Sequence, residues 1–192
     1  IMDFLFLPGK ILEPVSTFCC LIRDMRGKIM YKMVIIDDEK YVLEGLKNNI
    51  EWEKYNIEIA GQARSGEKGL QIIKAREPEL VITDIYMSEM NGLELIEKVH
   101  EILPHTKIII LSGYEDFKYA QKAVRNKAFD YILKPVETER IEEVIKKAIM
   151  KIKSEQAQIK NEEELKKQLQ ESLPILKEKY LKYLLMGTIS WE

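Results

Sequence analysis

The sequence of 192 residues is poor in the residues that define several protein classes. Its two cysteines, Cys19 and Cys20, are too few for a disulfide framework, so we expect a reducing, cytoplasmic location. Nine glycines and six prolines are too few for a collagen-like or low-complexity chain. Thirty Lys and Arg against 32 Asp and Glu give a net charge of −2, which excludes a strongly basic protein held on DNA or anionic lipid by its overall field.

Long apolar runs are also absent from residues 1–29. The two short runs there cannot span a membrane, which takes about 20 apolar residues. Asp3 near the front and Pro8 after the first run do not fit a signal peptide, which needs a basic segment before its apolar core. We therefore expect no membrane association. We interpret 1–29 as an N-terminal extension upstream of a natural start at Met30 or Met33, because these residues lead directly into a predicted strand.

Between residues 31 and 150, short β-branched runs alternate with amphipathic stretches. Nearly continuous apolar runs are typical of parallel strands buried on both faces. Five β-α repeats predict a doubly wound α/β fold with a five-stranded parallel sheet and a C-terminal helical extension. If the strand order is 2-1-3-4-5, a common order for such sheets, the first, third, fourth and fifth strands are neighbours. The predicted strands are 33–36, 57–61, 80–83, 107–111 and 131–133, and the predicted helices are 40–50, 66–76, 92–101, 116–126 and one that begins at Thr138.

The content of apolar residues changes twice in the C-terminal part of the sequence. From Thr138 to about Gln170 a long charged helix is predicted, and its apolar stripe thins after Lys153. Apolar residues then cluster again after 172. We interpret 151–172 as a helical linker and 173–192 as the start of a following region that is truncated here.

Polar residues follow most of the predicted strands, at the sheet edge where doubly wound folds bind ligands. They are Asp37, Asp38 and Glu39 after the first strand, Asp84 after the third, Ser112 after the fourth and Lys134 after the fifth. The outer second strand ends in the uncharged Gly61 and Gln62, which fits a strand without a role in the site. Each group alone would be an ordinary turn, cap or loop residue. Their occurrence together at four strand ends indicates one site.

This combination of side chains has a definite chemistry. Carboxylates without His or Cys suit Mg²⁺, which prefers one or two carboxylates together with a phosphate. An aspartate can attack phosphorus to form an aspartyl phosphate. A serine hydroxyl can donate to a phosphoryl oxygen, and a lysine can supply a positive charge. The sequence therefore predicts a phosphoryl-accepting site with Mg²⁺ as cofactor.

The chain resembles the receiver domain of bacterial two-component response regulators over about 31–150, and we assign 30–150 to this domain. The matching stretches are MVIIDDE (33–39), LVITDIYMSEMNGLELI (80–96), IIILSGYEDF (108–117) and DYILKP (130–135). Residues 112–124 and 173–187 resemble a narrower group, the YesN-like regulators, in which a helical linker joins a receiver to an AraC-type helix-turn-helix DNA-binding domain.

The resemblance implies a role for each site residue. Asp84 would be the phosphoacceptor and would also contact Mg²⁺. Asp38 would bind the ion directly, with help from Asp37, and the backbone carbonyl of Tyr86 would be a further ligand.

The remaining roles implied by the resemblance concern the switch. Ser112 would be the hydroxyl residue that follows the phosphoryl group. Lys134 would pair with that group, and the Lys134-Pro135 peptide bond is expected to be cis. Tyr131 would be the aromatic switch residue that changes between outward and inward rotamers.

The implied function is a phosphorylation-dependent signalling switch. A sensor histidine kinase would donate the phosphoryl group. The surface formed by the fourth helix, the fifth strand and the following helix would then support a homodimer, continued by the helical linker. The protein would contact DNA only through an output domain outside this sequence. It would be no enzyme beyond its part in its own phosphorylation and dephosphorylation.

Two other functions are open from the sequence. A degenerate receiver could act as a phosphorylation-independent dimerisation or binding module. An aspartyl-phosphate phosphohydrolase would need a second carboxylate two residues after the nucleophile as general acid and base. Tyr86 stands at that position, which disfavours the hydrolase.

Overall fold

The computed structural model describes residues 22–23, 29–113 and 128–185. The strands are β1 (Ile22–Arg23), β2 (Ile29–Ile36), β3 (Ile57–Ala63), β4 (Leu80–Asp84), β5 (Lys107–Ser112) and β6 (Asp130–Leu133). The helices are α1 (Lys40–Asn48), α2 (Gly66–Arg76), α3 (Gly92–Ile102) and α4 (Thr138–Leu185), and a 3₁₀ turn covers Trp52–Tyr55. The helix predicted at 116–126 lies outside the described residues.

Strands β2 to β6 form one parallel sheet in the order β3-β2-β4-β5-β6. This is the order 2-1-3-4-5 of the predicted strands, so the predicted topology is confirmed. The register pairs Ile36 with Thr83, Asp84 with Leu111, and Ser112 with Leu133. The carboxyl ends of four neighbouring strands are therefore level with one another, and the residues that follow them share one edge.

Strand β2 begins at Ile29, four residues before the predicted strand. Its first half contains polar residues that break the apolar pattern, but their amides have partners. The Tyr31 amide donates to the Asn56 carbonyl at 2.7 Å, and the Lys32 amide donates to a Glu79 carboxylate oxygen at 2.7 Å. The short strand β1 pairs antiparallel with this extra length of β2. Three residues of the interpreted N-terminal extension, Ile22, Arg23 and Ile29, thus form part of the sheet.

The central strands are buried on both faces, as their continuous apolar sequence predicts. Residues 33–36 of β2 and 109–111 of β5 are completely shielded from solvent. On one face, the core cluster joins alternate strand residues to apolar residues of α2 and α3, among them Ile73, Leu95 and Val99. Burial of this apolar surface stabilises the fold by roughly 25 cal/mol for each Å² removed from water.

Two helices begin at the predicted residues because side chains cap their first turns. The Ser65 hydroxyl accepts a hydrogen bond from the Lys68 amide at 3.4 Å, and Asn91 Oδ1 accepts one from the Glu94 amide at 3.0 Å. Such caps satisfy amides that the start of a helix leaves without an intrahelical partner. The cap of α3 fixes its start and therefore the end of the loop that follows Asp84.

The chain divides into two compact units after Val136, and the second contains α4. This helix runs to Leu185, well beyond the predicted end near Gln170. It contains Pro174, which lacks the amide of an intrahelical hydrogen bond, yet the surrounding residues keep their helical conformation. The apolar residues of its first turns are buried: Ile141, Val144, Ile145, Ala148, Ile149 and Ile152. Over the described ranges, no helix has both the length and the apolar character that crossing a membrane requires.

Substitution of Gly92 tests how closely α3 packs on the end of β4. In Gly92→Ala, the new Cβ would lie 2.1 Å from the Asp84 carbonyl oxygen and 3.1 Å from the Ile85 Cα, so backbone must move. We expect a loss of about 1–3 kcal/mol in the free energy of unfolding, measured by urea denaturation followed by circular dichroism.

The matched control is Gly45→Ala in α1, where the new Cβ would meet Asn49 at 3.8 Å, an ordinary contact. Because alanine favours a helix interior over glycine by about 1 kcal/mol, this variant should be at least as stable as the wild type. Equal stability of the two variants would contradict the close packing at Gly92.

Candidate functional site

The structure brings the predicted acidic residues together at the carboxyl edge of the sheet. Asp37, Asp38 and Glu39 follow β2, and Asp84 ends β4. One carboxylate oxygen from each of these four residues lies within 4.8 Å of the others. Ser112 is buried at the end of β5, on the same edge. The ends of β2, β4 and β5 therefore contribute to one pocket, and Lys134, which follows β6, also reaches it.

Lys134 is the positive centre of this pocket. Its Nζ lies 2.8 Å from Asp37 Oδ2, 3.1 Å from Asp84 Oδ2 and 3.2 Å from Glu39 Oε1, and its side chain is only 15% exposed. The Lys134 amide donates to the Ser112 carbonyl at 2.7 Å, which continues the β5–β6 ladder by one residue and aims the side chain at the acidic group. The Lys134-Pro135 peptide bond is cis, as predicted.

Asp37 is fully buried beside Lys134. Its Oδ1 accepts a hydrogen bond from the Glu39 amide at 3.0 Å. Its Oδ2 is close enough to Lys134 for an ion pair, but among the described residues no donor meets this oxygen at a hydrogen-bonding angle. Burial raises the pKa of Asp37, and the nearby Lys134 opposes that rise. A buried carboxylate oxygen without a hydrogen bond is available to a cation.

Asp84 is held with one oxygen fixed and the other facing Lys134. Its Oδ1 accepts a hydrogen bond from the Ile85 amide at 2.7 Å, and its Oδ2 lies at the ammonium. Burial raises the pKa of Asp84, while the charge of Lys134 lowers it. The main chain beyond it is also fixed, because the Gly92 amide donates to the Ile85 carbonyl at 2.9 Å.

Two neighbouring groups are not apparent from the strand-end pattern. The Arg64 guanidinium, just after β3, donates to the Asp38 carbonyl oxygen at 2.9 and 3.1 Å. The outer strand therefore supports the site, contrary to the expectation that it has no role; β3 runs two residues beyond its predicted end and so brings Arg64 to the edge. Tyr41, in the first turn of α1, donates from its hydroxyl to Glu39 Oε2. This hydrogen bond and Lys134 lower the pKa of Glu39.

The two predicted tyrosines lie near the pocket in different environments. Tyr86 follows β4 by two residues and has an exposed side chain, and the role of its carbonyl as a ligand stays a prediction. Tyr131 pairs with Ile110 in the sheet, and its half-buried ring packs against the core cluster. Its assignment as a switch also stays a prediction.

The charges of the pocket fit a divalent cation. The four carboxylates and the Lys134 ammonium together leave an excess of three negative charges when all are ionised. All the candidate ligands are oxygen atoms, the type that Mg²⁺ prefers. Together with the unsatisfied oxygen of Asp37, this donor set suits Mg²⁺.

Comparison with known proteins identifies the family. Residues 33–146, more than half of the chain, match the response regulator receiver domain. The chain belongs to the response regulator receiver family. The resemblance inferred from the four sequence stretches is thereby confirmed, and so is the receiver fold.

Named relatives agree with this assignment. Over 158 residues the receiver-containing chain is 34% identical to the uncharacterized transcriptional regulatory protein YesN of Bacillus subtilis, across 82% of this chain and 43% of that protein. It is 36% identical over 129 residues to the transcriptional regulatory protein HptR of Staphylococcus aureus, across 67% of this chain and 50% of that protein. The chain thus spans about half the length of the curated relatives it matches.

Solved receiver structures are also similar. The REC domain of AraT, a response regulator from Geobacillus stearothermophilus, matches with a TM-score of 0.64 and 35% identity, covering 67% of this chain and 99% of that one. A two component transcriptional regulator AraC from Clostridium phytofermentans matches with a TM-score of 0.60 and 31% identity, covering 67% and 98%.

Removal of the central ammonium should destabilise the receiver. Lys134→Met leaves Asp37 and Asp84 buried without their counter-ion, so we expect a loss of about 3 kcal/mol in the free energy of unfolding at pH 7.5. The loss should shrink at pH 5. Burial raises the pKa of both carboxyl groups in the folded protein, so the variant takes up protons on folding and regains stability as the pH falls.

Urea denaturation at the two pH values measures both effects. The control is Lys98→Met, which removes an exposed lysine of α3 and should change stability little at either pH. A loss in Lys134→Met that is the same at both pH values would argue against unpaired carboxylates as its cause.

Proposed function

We propose that this receiver is a phosphorylation-dependent switch in which a sensor histidine kinase transfers a phosphoryl group to Asp84. The observation that carries the proposal is the position of Asp84 Oδ2 in the pocket, at 3.1 Å from Lys134 Nζ and within reach of the other carboxylates. An aspartate in this setting is oriented for attack on phosphorus. Receivers of this family act in signalling rather than as enzymes.

The acidic pocket would hold the cofactor. Asp37, Asp38 and Asp84, with the backbone carbonyl of Tyr86, would be the protein ligands of Mg²⁺. When bound, the ion would neutralise negative charge on the transferring phosphoryl group. The excess negative charge of the carboxylate set supports this assignment.

Asp84, Lys134 and Ser112 each have a task in the transfer. Asp84 Oδ2 attacks phosphorus as the bond between phosphorus and the histidine nitrogen of the kinase breaks. The Lys134 ammonium contacts the transferred group and offsets its charge, and the Ser112 hydroxyl donates to one of its oxygens. Ser112 then follows the phosphoryl group and Tyr131 changes between its outward and inward rotamers, which shifts the domain between two arrangements.

The output of this switch would be transcription. The relatives YesN and HptR are named as transcriptional regulatory proteins, and the chain spans about half of each. We infer that a DNA-binding domain outside this sequence makes the contact with DNA, in the cytoplasm, and that the receiver controls it through α4.

A homodimer would link phosphorylation to that output. The second half of α4 carries a stripe of apolar side chains that are 45–66% exposed: Leu165, Leu169, Leu173, Leu176, Tyr180 and Tyr183. Their spacing of three and four residues is that of a coiled-coil seam. The other predicted part of the dimer surface, the helix at 116–126, lies outside the described residues. Because the stripe is exposed without phosphorylation, a phosphorylation-independent dimerisation module is the alternative function.

Phosphorylation of the purified protein tests the main proposal. With Mg²⁺ and acetyl phosphate, the intact mass should rise by one phosphoryl group, and peptide mapping should place it on Asp84. Asp84→Asn should remove the modification, since the amide is no nucleophile, and EDTA should prevent it in the wild type.

Asp130→Asn is the matched control, because it changes another aspartate of the sheet and should leave the modification intact. A phosphoryl group that persists in Asp84→Asn would refute the assignment of the acceptor. An unmodified wild type would favour the alternative, a degenerate receiver.

Self-association through α4 is tested with a charge on the stripe. Leu176→Lys would place an ammonium in an apolar seam, so we expect at least about tenfold weaker dimerisation by sedimentation equilibrium of the phosphorylated protein. Glu171→Lys, on the opposite side of the helix, is the control and should not weaken it. Leu, Glu and Lys have similar helix propensities, so neither change should unfold α4. Equal dimerisation of both variants would place the interface elsewhere.

A further inference from the structure

The contact between Glu39 and Lys134 has no role in the phosphoryl transfer described above. Glu39 Oε1 lies 3.2 Å from Lys134 Nζ, and Glu39 Oε2 accepts a hydrogen bond from the Tyr41 hydroxyl. The Glu39 side chain is 39% exposed, so it lies on the solvent side of the ammonium, whereas Asp37 and Asp84 lie on the buried side. Both oxygens of Glu39 are thus engaged at the mouth of the pocket.

Three carboxylates already share this one ammonium. Lys134 Nζ donates hydrogen bonds to Glu39 Oε1 and Asp84 Oδ2, and Asp37 Oδ2 lies in ion-pair contact at 2.8 Å. A phosphoryl group on Asp84 would bring further acceptor oxygens to the same ammonium. Its roughly two negative charges would replace the single charge of the Asp84 carboxylate, so about one negative charge is added. Like charges that share one counter-ion repel each other, so this group and the Glu39 carboxylate cannot both keep a full interaction with Lys134.

We propose that Glu39 is a positioning residue that competes with the phosphoryl group for Lys134, and that Tyr41 holds Glu39 in the competing position. In the unphosphorylated receiver Glu39 keeps the ammonium at the mouth of the pocket. When the phosphoryl group forms, the ammonium moves to it and Glu39 loses its partner. Tyr41 is exposed on the first turn of α1, so this exchange reaches the protein surface. The inference rests on the proposed function, because it requires a phosphoryl group on Asp84.

Binding of beryllium fluoride, a mimic of the phosphoryl group, measures the competition at equilibrium. At saturating Mg²⁺, Glu39→Gln should bind beryllium fluoride about two- to fivefold more tightly than the wild type, the range expected for a partly exposed ion pair. The same variant should bind Mg²⁺ alone more weakly, since one negative charge of the pocket is lost. Opposite changes for the two probes would not arise from a general loss of structure.

Tyr41→Phe separates the two parts of the proposal. Without the hydroxyl, Glu39 is free to turn to solvent, so beryllium fluoride should bind more tightly but by less than in Glu39→Gln. In the double variant, the Tyr41 change should add nothing to the effect of Glu39→Gln, because it acts through Glu39. Additive effects of the two substitutions would overturn the role of Tyr41.

Glu58→Gln is the matched control, since it removes an equal charge from an exposed residue at the amino end of β3 and should change neither affinity. Beryllium fluoride affinity in Glu39→Gln that equals or falls below that of the wild type would overturn the competition. If the wild type is nevertheless phosphorylated on Asp84, the proposed function stands. An unmodified Asp84 in the wild type would overturn both.

Discussion

The pocket depends on one ion-pair arrangement, in which the Lys134 ammonium contacts Asp37, Asp84 and Glu39. Carboxylates brought out of water beside one another are unfavourable, and a buried charge without a partner is strongly destabilising. Lys134 offsets this cost only in part, since it contacts three carboxylates and the carboxylate of Asp38 lies close to these three. The remaining negative charge favours the binding of a divalent cation in the pocket.

The parallel sheet makes this arrangement possible. Residues that are far apart in sequence meet because the strands end level with one another: Lys134 is 50 residues from Asp84 and 95 from Glu39. The cap on α3 and the close approach of Gly92 to Asp84 fix the loop beyond β4, so the acceptor has a defined position. Apolar burial in the central strands thus supports a polar edge that would not hold together by itself.

The overall charge gives no sign of this edge. The chain carries a net charge of −2, while the pocket alone carries an excess of three negative charges when ionised. The nearly neutral net charge of the chain is therefore a sum over all residues and does not describe the charge of the pocket. Likewise, the composition of α4 is that of an ordinary charged helix. Its exposed apolar stripe from Leu165 to Tyr183 results from the spacing of its apolar residues along the helix. In both cases the position of the residues decides what the protein can bind.

The sequence by itself determined the strand and helix pattern, the starts of α2 and α3, and the four strand ends that carry chemistry, because these depend on local apolar periodicity and on short motifs. The resemblance of those motifs added the strand order. Tertiary structure alone decided that Glu39 contacts Lys134, that Arg64 binds the Asp38 carbonyl, and that β2 begins at Ile29. Such contacts depend on strand register and on partners far along the chain, which no local pattern of residues encodes.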